Sequence, residues 1–233
     1  MSRGLPVWNS VPRPHRSRTV GGGWSDVWQP AVVLGPSEAR RRLFHMAPGF
    51  LPFVLWVIPH RDPWGPMLLT AVALLGGGII FAAFRRYRSF ARRGERDWSA
   101  AVLGYALPVL GALLLLPGEA EIGLSVLGIL ALGDGAATLG GLRLGGWRLP
   151  WNRRKSWTGS LCFCFGGAAL ATLLYWGEAV PRVSLLTAFL SVLPATLAAA
   201  LVESLPLRSN DNLRVGATAL IVALLTHAAF VGW

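Results

Sequence analysis

One carboxylate stands where a plain membrane anchor would not carry it. The stretch IGLSVLGILALGDGAATLGGL (residues 122–142) has a single charge, Asp134, set between Gly133 and Gly135. A carboxylate in hydrocarbon costs several kcal/mol unless it meets a partner or a wet cavity, which makes Asp134 a candidate for chemistry. It lies nine residues before Arg143, about 13 Å along a helix at 1.5 Å per residue. The flanking glycines would let the backbone break there and turn amide groups toward a cavity. The structural alternative is an ion pair with an arginine.

Opposite charge follows in the run NRRKSWTGSL. Arg143, Arg148, Arg153, Arg154 and Lys155 precede Ser156, Thr158, Gly159 and Ser160. A cation and hydroxyls at the start of an apolar helix, where free amides attract anions, would make a phosphate cradle. Basic residues at such a boundary are also expected from topology alone. No P-loop is present, because Arg154 precedes Lys155 and no glycine opens the required spacing. The kinase glycine-rich loop is absent as well, since GDGAAT follows no strand.

A third cluster lies in LVESLPLRSNDNLRVG. Glu203 ends one apolar run, and Asn210, Asp211 and Asn212 form an oxygen-rich turn before the next. With Asp134 they offer the hard oxygen ligands that Mg²⁺ takes when it is shared with substrate phosphates. The bland alternative for Asn210–Asn212 is a turn and a helix N-cap.

The elements that must position these groups are transmembrane helices. Of the 233 residues 53% are hydrophobic and 14% charged, with a mean hydropathy of +0.50; soluble domains carry about 25% charged residues. A span needs about 20 apolar residues. Six stretches meet or approach this: 66–84, 100–117, 122–142, 159–177, 184–202 and 215–233. A seventh, 46–59, is shorter and holds three prolines. The expected fold is therefore all-α, a polytopic integral membrane bundle of about seven helices.

The charges orient it. Basic residues number seven in 1–44, six in 85–99, five in 143–158 and two in 203–214, which leaves only Arg61 and Arg182 elsewhere. Alternate connections are thus basic, as the positive-inside rule requires. The register closes with seven spans, the N-terminus cytoplasmic, and all three polar clusters on the cytoplasmic side. The net charge of +11 belongs to this pattern. Nucleic-acid binding is set aside, since apolar stretches separate every basic cluster.

Residues 1–36 show no helical period and are expected to form a flexible basic tail, with 37–233 as one membrane domain. A helix is expected to begin near Ser37, as N-cap, and to carry Arg40, Arg41, Arg42 and His45 toward the membrane. No cleavable secretory signal is expected, because no apolar run precedes Pro30. Cys162 and Cys164 are two residues apart in an apolar run with no nearby histidine, which fits packing rather than a metal or redox role.

GDGAATLGG followed by KSWTGS, then ESLP and NDN, resembles the CTP-dependent lipid-alcohol kinase family. That family includes the phytol and farnesol kinases, the dolichol kinases and CTP-dependent diacylglycerol kinases, and is related more distantly to the phosphatidate cytidylyltransferases. RRLFHMAPG is similar to the family's Arg-Lys-x-x-His opening, with Arg42 in the lysine position. The resemblance runs from Arg41 to Val215. It implies transfer of the terminal phosphoryl group of CTP to a membrane-embedded lipid hydroxyl. By the same resemblance Asp134 would bind Mg²⁺, and Lys155, Ser156 and Ser160 would hold the triphosphate. Glu203, Asp211 and Asn212 would complete the metal site or orient the attacking hydroxyl. Arg41 and His45 would bind the nucleotide or the product phosphate, and Gly133 and Gly135 would line the nucleotide site. The chain departs from the doubly acidic turn common in the family, since Asn210 stands before Asp211.

Two other readings compete. A phosphatidate cytidylyltransferase would show a Lys-Arg…Lys-Asp signature near the last spans, where this chain reads LPLRSNDNLRV. A transporter would place an ion site at a broken helix, but no internal two-fold repeat is evident.

Overall fold

The computed structural model of the chain describes residues 27–31, 36–90, 98–207 and 210–232. The helices are α1 (Pro36–Met46), a 3₁₀ helix (Ala47–Trp56), α2 (Pro66–Phe90), α3 (Trp98–Leu115) and α4 (Ala120–Gly128). A π-helical turn (Ile129–Gly133) leads into α5 (Asp134–Arg143), followed by α6 (Trp157–Glu178), α7 (Leu185–Ser204) and α8 (Asp211–Phe230). Five helical segments are long and apolar enough to cross a membrane: Pro66–Arg86, Ala120–Arg143, Trp157–Glu178, Leu185–Ser204 and Asp211–Phe230. Ser99–Leu115 is a shorter apolar helix. The all-α membrane fold expected from hydropathy is thus present.

The expected first span is not a membrane-crossing α-helix. Its residues form the ten-residue 3₁₀ helix with Pro52 inside it, about 20 Å long at 2.0 Å per residue. That falls short of a hydrocarbon core of about 30 Å. Pro48, Pro52 and Pro59 remove the donors a longer α-helix would need.

Two further expectations change. The helix through Asp134 does not break at its glycines; Gly133 keeps helical φ −60° and ψ −59°, and the irregularity is absorbed as the π turn. Such turns cluster at functional sites. The end of the basic tail is also paired: β1 (Trp28–Gln29) runs antiparallel to β2 (Gly146–Trp147), with Trp28 opposite Trp147. The rest of the tail, 1–26 and 32–35, lies outside the described residues. The first helix starts at Pro36, a favoured first helical position for proline.

The segment from α4 to α5 is the central element, with Ile122, Val126, Ile129 and Ala131 fully buried. Small residues let its neighbours approach. A Cβ on Gly128 would come 2.8 Å from the Ala171 backbone nitrogen of α6, and one on Gly216 of α8 would meet Pro108 of α3 at 2.7 Å. Without a hydrophobic drive between helices in lipid, such close packing holds them together. Outside, Met67, Leu74, Leu115 and Phe165 are each more than 70% exposed, an apolar surface that suits lipid.

Candidate functional site

The expected site residues lie toward one end of the bundle: Asp134 opens α5, Lys155 precedes α6, Glu203 stands in the last turn of α7 and Asp211 opens α8. The segment α1 packs against α5 and the π turn, which brings Arg42 and His45 over Asp134. Arg42 Nη1 donates to Asp134 Oδ2 at 2.7 Å, and His45 Nε2 lies 3.4 Å from the same oxygen. These side chains are about four-fifths buried, with exposures of 17% for Arg42, 21% for His45 and 26% for Asp134. His45 also reaches the Leu130 carbonyl at 3.3 Å, on the π turn. Leu130 is the residue four before Asp134, so His45 spans the irregular turn. Tyr105 of α3 closes the far side: its ring meets His45 edge-on at 4.8 Å and its hydroxyl donates to the His45 carbonyl at 3.4 Å.

Lys155 and Glu203 form the second pair. Lys155 Nζ donates to Glu203 Oε1 at 2.5 Å and to the Glu203 carbonyl. This cation caps the carbonyl end of α7, where the helix dipole is negative. The connection between α5 and α6 is docked there by two further contacts. Asn152 Nδ2 donates to the Ser204 carbonyl at 2.9 Å, and Trp151 Nε1 donates to Ser204 Oγ at 3.1 Å. Leu149 N to Lys155 O at 2.9 Å folds the same connection into a tight hairpin.

The two pairs lie within electrostatic reach of one another. Glu203 feels the charges of both Asp134 and Asp211. Asp211, at the first turn of α8, pairs with Arg214 and is 58% exposed. Asp134 and Asp211 are thus near enough to Glu203 to act on its charge, and each of the three carboxylates pairs with a cation.

Several expected residues are engaged in structure. Ser156 is the N-cap of α6, its Oγ accepting from Gly159 N at 3.2 Å. Ser160 Oγ is buried and has no hydrogen-bond partner among the described residues, so of the two serines it is the one left to donate elsewhere. Asn210 caps α8 by accepting from Leu213 N at 3.1 Å. Asn212 donates to the Ala101 carbonyl of α3 at 2.9 Å. The turn-and-cap alternative for Asn210–Asn212 is thus present, and it fixes Asp211 on the first turn of the helix. Gly133 closes the π turn and Gly135 lies in the first turn of α5, so both stay within continuous helix. A Cβ on Gly133 would meet the Phe163 ring at 3.0 Å, and one on Gly135 would meet Met46 at 2.4 Å. They are places of close packing. Arg41 acts on His45 through its charge.

The sequence signals pointed to Arg41 and His45, whereas Arg42 is the residue bonded to Asp134. Helical phase on α1 could not be fixed before its start was known. Tyr105 could have been noticed as the one tyrosine of an apolar run, but Trp151 and Asn152 carry no signal that separates them from an ordinary loop.

The cavity of about 410 Å³ lined by Trp56, His60, Trp176, Glu178 and Arg182 lies at the opposite end of the bundle. It touches none of these residues.

Comparison with known proteins follows the same outline. No family model and no solved structure matches the chain. Among curated proteins it is 29% identical over 211 residues to a probable phytol kinase, chloroplastic, of Zea mays, covering 81% of this chain and 67% of that protein. It is 30% identical over 208 residues to probable phytol kinase 1, chloroplastic, of Glycine max, covering 80% and 66%. It is 26% identical over 220 residues to farnesol kinase, chloroplastic, of Arabidopsis thaliana, covering 88% and 70%. The chain spans about two thirds of the length of these relatives. With phytol and farnesol kinases matching about four fifths of its length, the chain belongs to the lipid-alcohol kinase family.

Proposed function

We propose that the chain transfers the terminal phosphoryl group of CTP to the hydroxyl of a membrane lipid alcohol such as phytol, farnesol, a polyprenol, dolichol or diacylglycerol. The observation that carries this reading is the convergence at one end of the bundle of Asp134, Glu203 and Asp211 with Arg42, His45 and Lys155. On this reading the site lies where lipid and water meet. A lipid alcohol presents its hydroxyl near the interface, and a nucleotide arrives from water.

Phosphoryl transfer asks the protein mainly for positioning and charge neutralisation. In the proposed reaction the lipid oxygen forms a bond to the γ-phosphorus, the bond from that phosphorus to the β–γ bridging oxygen breaks, and CDP leaves. The hydroxyl proton passes to solvent or to a carboxylate at the site. Arg42, Lys155 and the basic loop at Arg148, Arg153 and Arg154 supply positive charge for the triphosphate, and Ser160 supplies an unpaired hydroxyl. Arg42 and His45 hold the Asp134 carboxylate in a fixed orientation.

Mg²⁺ fits the donor set in one particular form. Each carboxylate meets its cation through one oxygen, Oδ2 of Asp134, Oε1 of Glu203 and Oδ1 of Asp211, and the other oxygen would be the one to face a metal. Among the described residues these three do not form a close-set cage. Mg²⁺ is usually held by one or two carboxylates together with substrate phosphates, so Asp134 with Asp211 or Glu203 would hold it alongside the nucleotide. The ion would neutralise charge on the transferring group. We place this end of the bundle in the cytoplasm from the basic connections at 143–158 and 203–214 that adjoin it, and read the chain as multi-pass from its five helices of crossing length.

The test is an assay of the purified full chain against a panel of lipid alcohols with CTP and Mg²⁺. The expected result is formation of a lipid monophosphate by the wild type and its loss in well-folded Asp134→Asn, which lacks the anionic oxygen. Wild-type turnover in that variant would remove Asp134 from the site.

A further inference from the structure

At the end of the bundle opposite Asp134, two carboxyl groups and a histidine come together, Glu121 and His227 buried and Glu119 partly buried. Glu119 and Glu121 stand at the start of α4 and His227 in the last turn of α8. His227 Nε2 lies 3.0 Å from Glu119 Oε2, and Nδ1 lies 3.7 Å from Glu121 Oε1. One ligand atom from each residue lies within 4.8 Å of the other two. A tetrahedral ion with bonds of about 2.0–2.2 Å holds its ligands roughly 3.3–3.6 Å apart, so small side-chain adjustments close the set.

Ligand types and hydrogen bonding both suit a cation. Two carboxyl groups and an imidazole, all ligand types of a divalent ion, face one another here. Glu121 is 1% exposed and its Oε1 has no hydrogen-bond partner among the described residues, a costly state for a buried polar atom. The imidazole is held as a metal ligand usually is. The Tyr175 hydroxyl, on α6, sits 2.7 Å from His227 Nδ1, which fixes the ring and leaves Nε2 to face Glu119. Outer partners of this kind orient metal-bound histidines.

We infer that Glu119, Glu121 and His227 bind one divalent transition-metal ion of the zinc class, tying α4 to α8 with Tyr175 as the orienting residue. One imidazole and two carboxylates suit such an ion better than Mg²⁺, which favours oxygen alone. The inference does not depend on the kinase reading.

The full chain, purified in detergent and stripped of metal, is titrated with Co²⁺ as a spectroscopic probe and then with Zn²⁺. The expected result is one saturable Co²⁺ equivalent with visible d–d absorption, displaced by Zn²⁺ and absent in Glu119→Gln and Glu121→Gln. Tyr175→Phe keeps all three ligands and should weaken binding by roughly ten- to a hundredfold. Failure of the wild type to bind Co²⁺, with thermal stability unmoved by Zn²⁺, would mean that a shared proton alone neutralises the cluster and would overturn the proposal. Co²⁺ binding that persists unchanged in folded Glu119→Gln or Glu121→Gln, or in Tyr175→Phe, would overturn it equally.

Discussion

Replacing Arg42 by glutamine takes the cation off Asp134 and leaves a mostly buried carboxylate with His45 as its remaining close partner. Two unit charges about 4 Å apart attract by about 4 kcal/mol at an effective dielectric of 20, and desolvation cancels part of that. Exposed pairs are worth about 0–1 kcal/mol, while breaking a fully buried pair costs about 3–5. With side-chain exposures of 17% and 26%, the Arg42–Asp134 pair falls between these limits, at about 2 kcal/mol. Arg42→Gln and Asp134→Asn should each destabilise by about that amount, because each removes one side of the pair. The double variant should cost little more than either single one, which gives a coupling energy of about 2 kcal/mol. The assay is SDS-driven unfolding in mixed micelles, followed by far-UV circular dichroism, for the wild type and the three variants. Additive single effects, with coupling under about 0.5 kcal/mol, would refute the claim that α1 is fastened to α5 through these two residues.

Gly128→Ala forces a methyl group against the α6 backbone at Ala171 and should cost about 1–3 kcal/mol; Gly78→Ala, with nothing within 4 Å, should be neutral or gain up to about 1 kcal/mol. The same micelle assay checks both, and equal losses would contradict the packing described. His60 gives a pH dependence. Partial burial opposes its charging, but the Ile58 carbonyl at 2.9 Å and the Glu178 carboxylate at 2.9 Å outweigh it and raise its pKa above the ordinary value of 6.5. A raised folded-state value stabilises the protein below the unfolded-state pKa, and that contribution fades as pH rises through the folded one. The stability difference between wild type and His60→Gln should therefore be largest near about pH 5.5 and shrink by about pH 8.5; a difference that grows with pH would contradict the pairing.

Much of this arrangement was legible in the chain because membranes impose coarse rules. Five of the expected spans appear as helices of crossing length, and 100–117 as a shorter one. The failure at Met46–Pro59 has a local cause: hydropathy ignores backbone donors, and three prolines remove them. Hydropathy is also blind to pairing, so nothing in the tail announced that Trp28 would sit opposite Trp147. At the site, residue type located Asp134, Lys155, Glu203 and Asp211, but not their partners. Whether Asp134 would meet Arg41 or Arg42 depends on helical phase, and whether Ser156 would face a ligand or cap a helix depends on where α6 begins. The glycines beside Asp134 illustrate the same limit. Flexibility and close packing call for the same residue, and only the neighbours, Phe163 and Met46, distinguish the two.

The central claim is that a terminal phosphoryl group moves to a lipid hydroxyl, and isotope placement tests it most directly. The purified chain is incubated with a lipid alcohol, Mg²⁺ and CTP labelled either in the γ-phosphate or in the cytidine ring. The account predicts that γ-label enters the lipid fraction, cytidine label stays in water, and CDP is released. Cytidine label in the lipid, with pyrophosphate released, would mean attack at the α-phosphorus and a cytidylyltransferase. Label in the lipid from neither donor would contradict phosphoryl transfer from CTP.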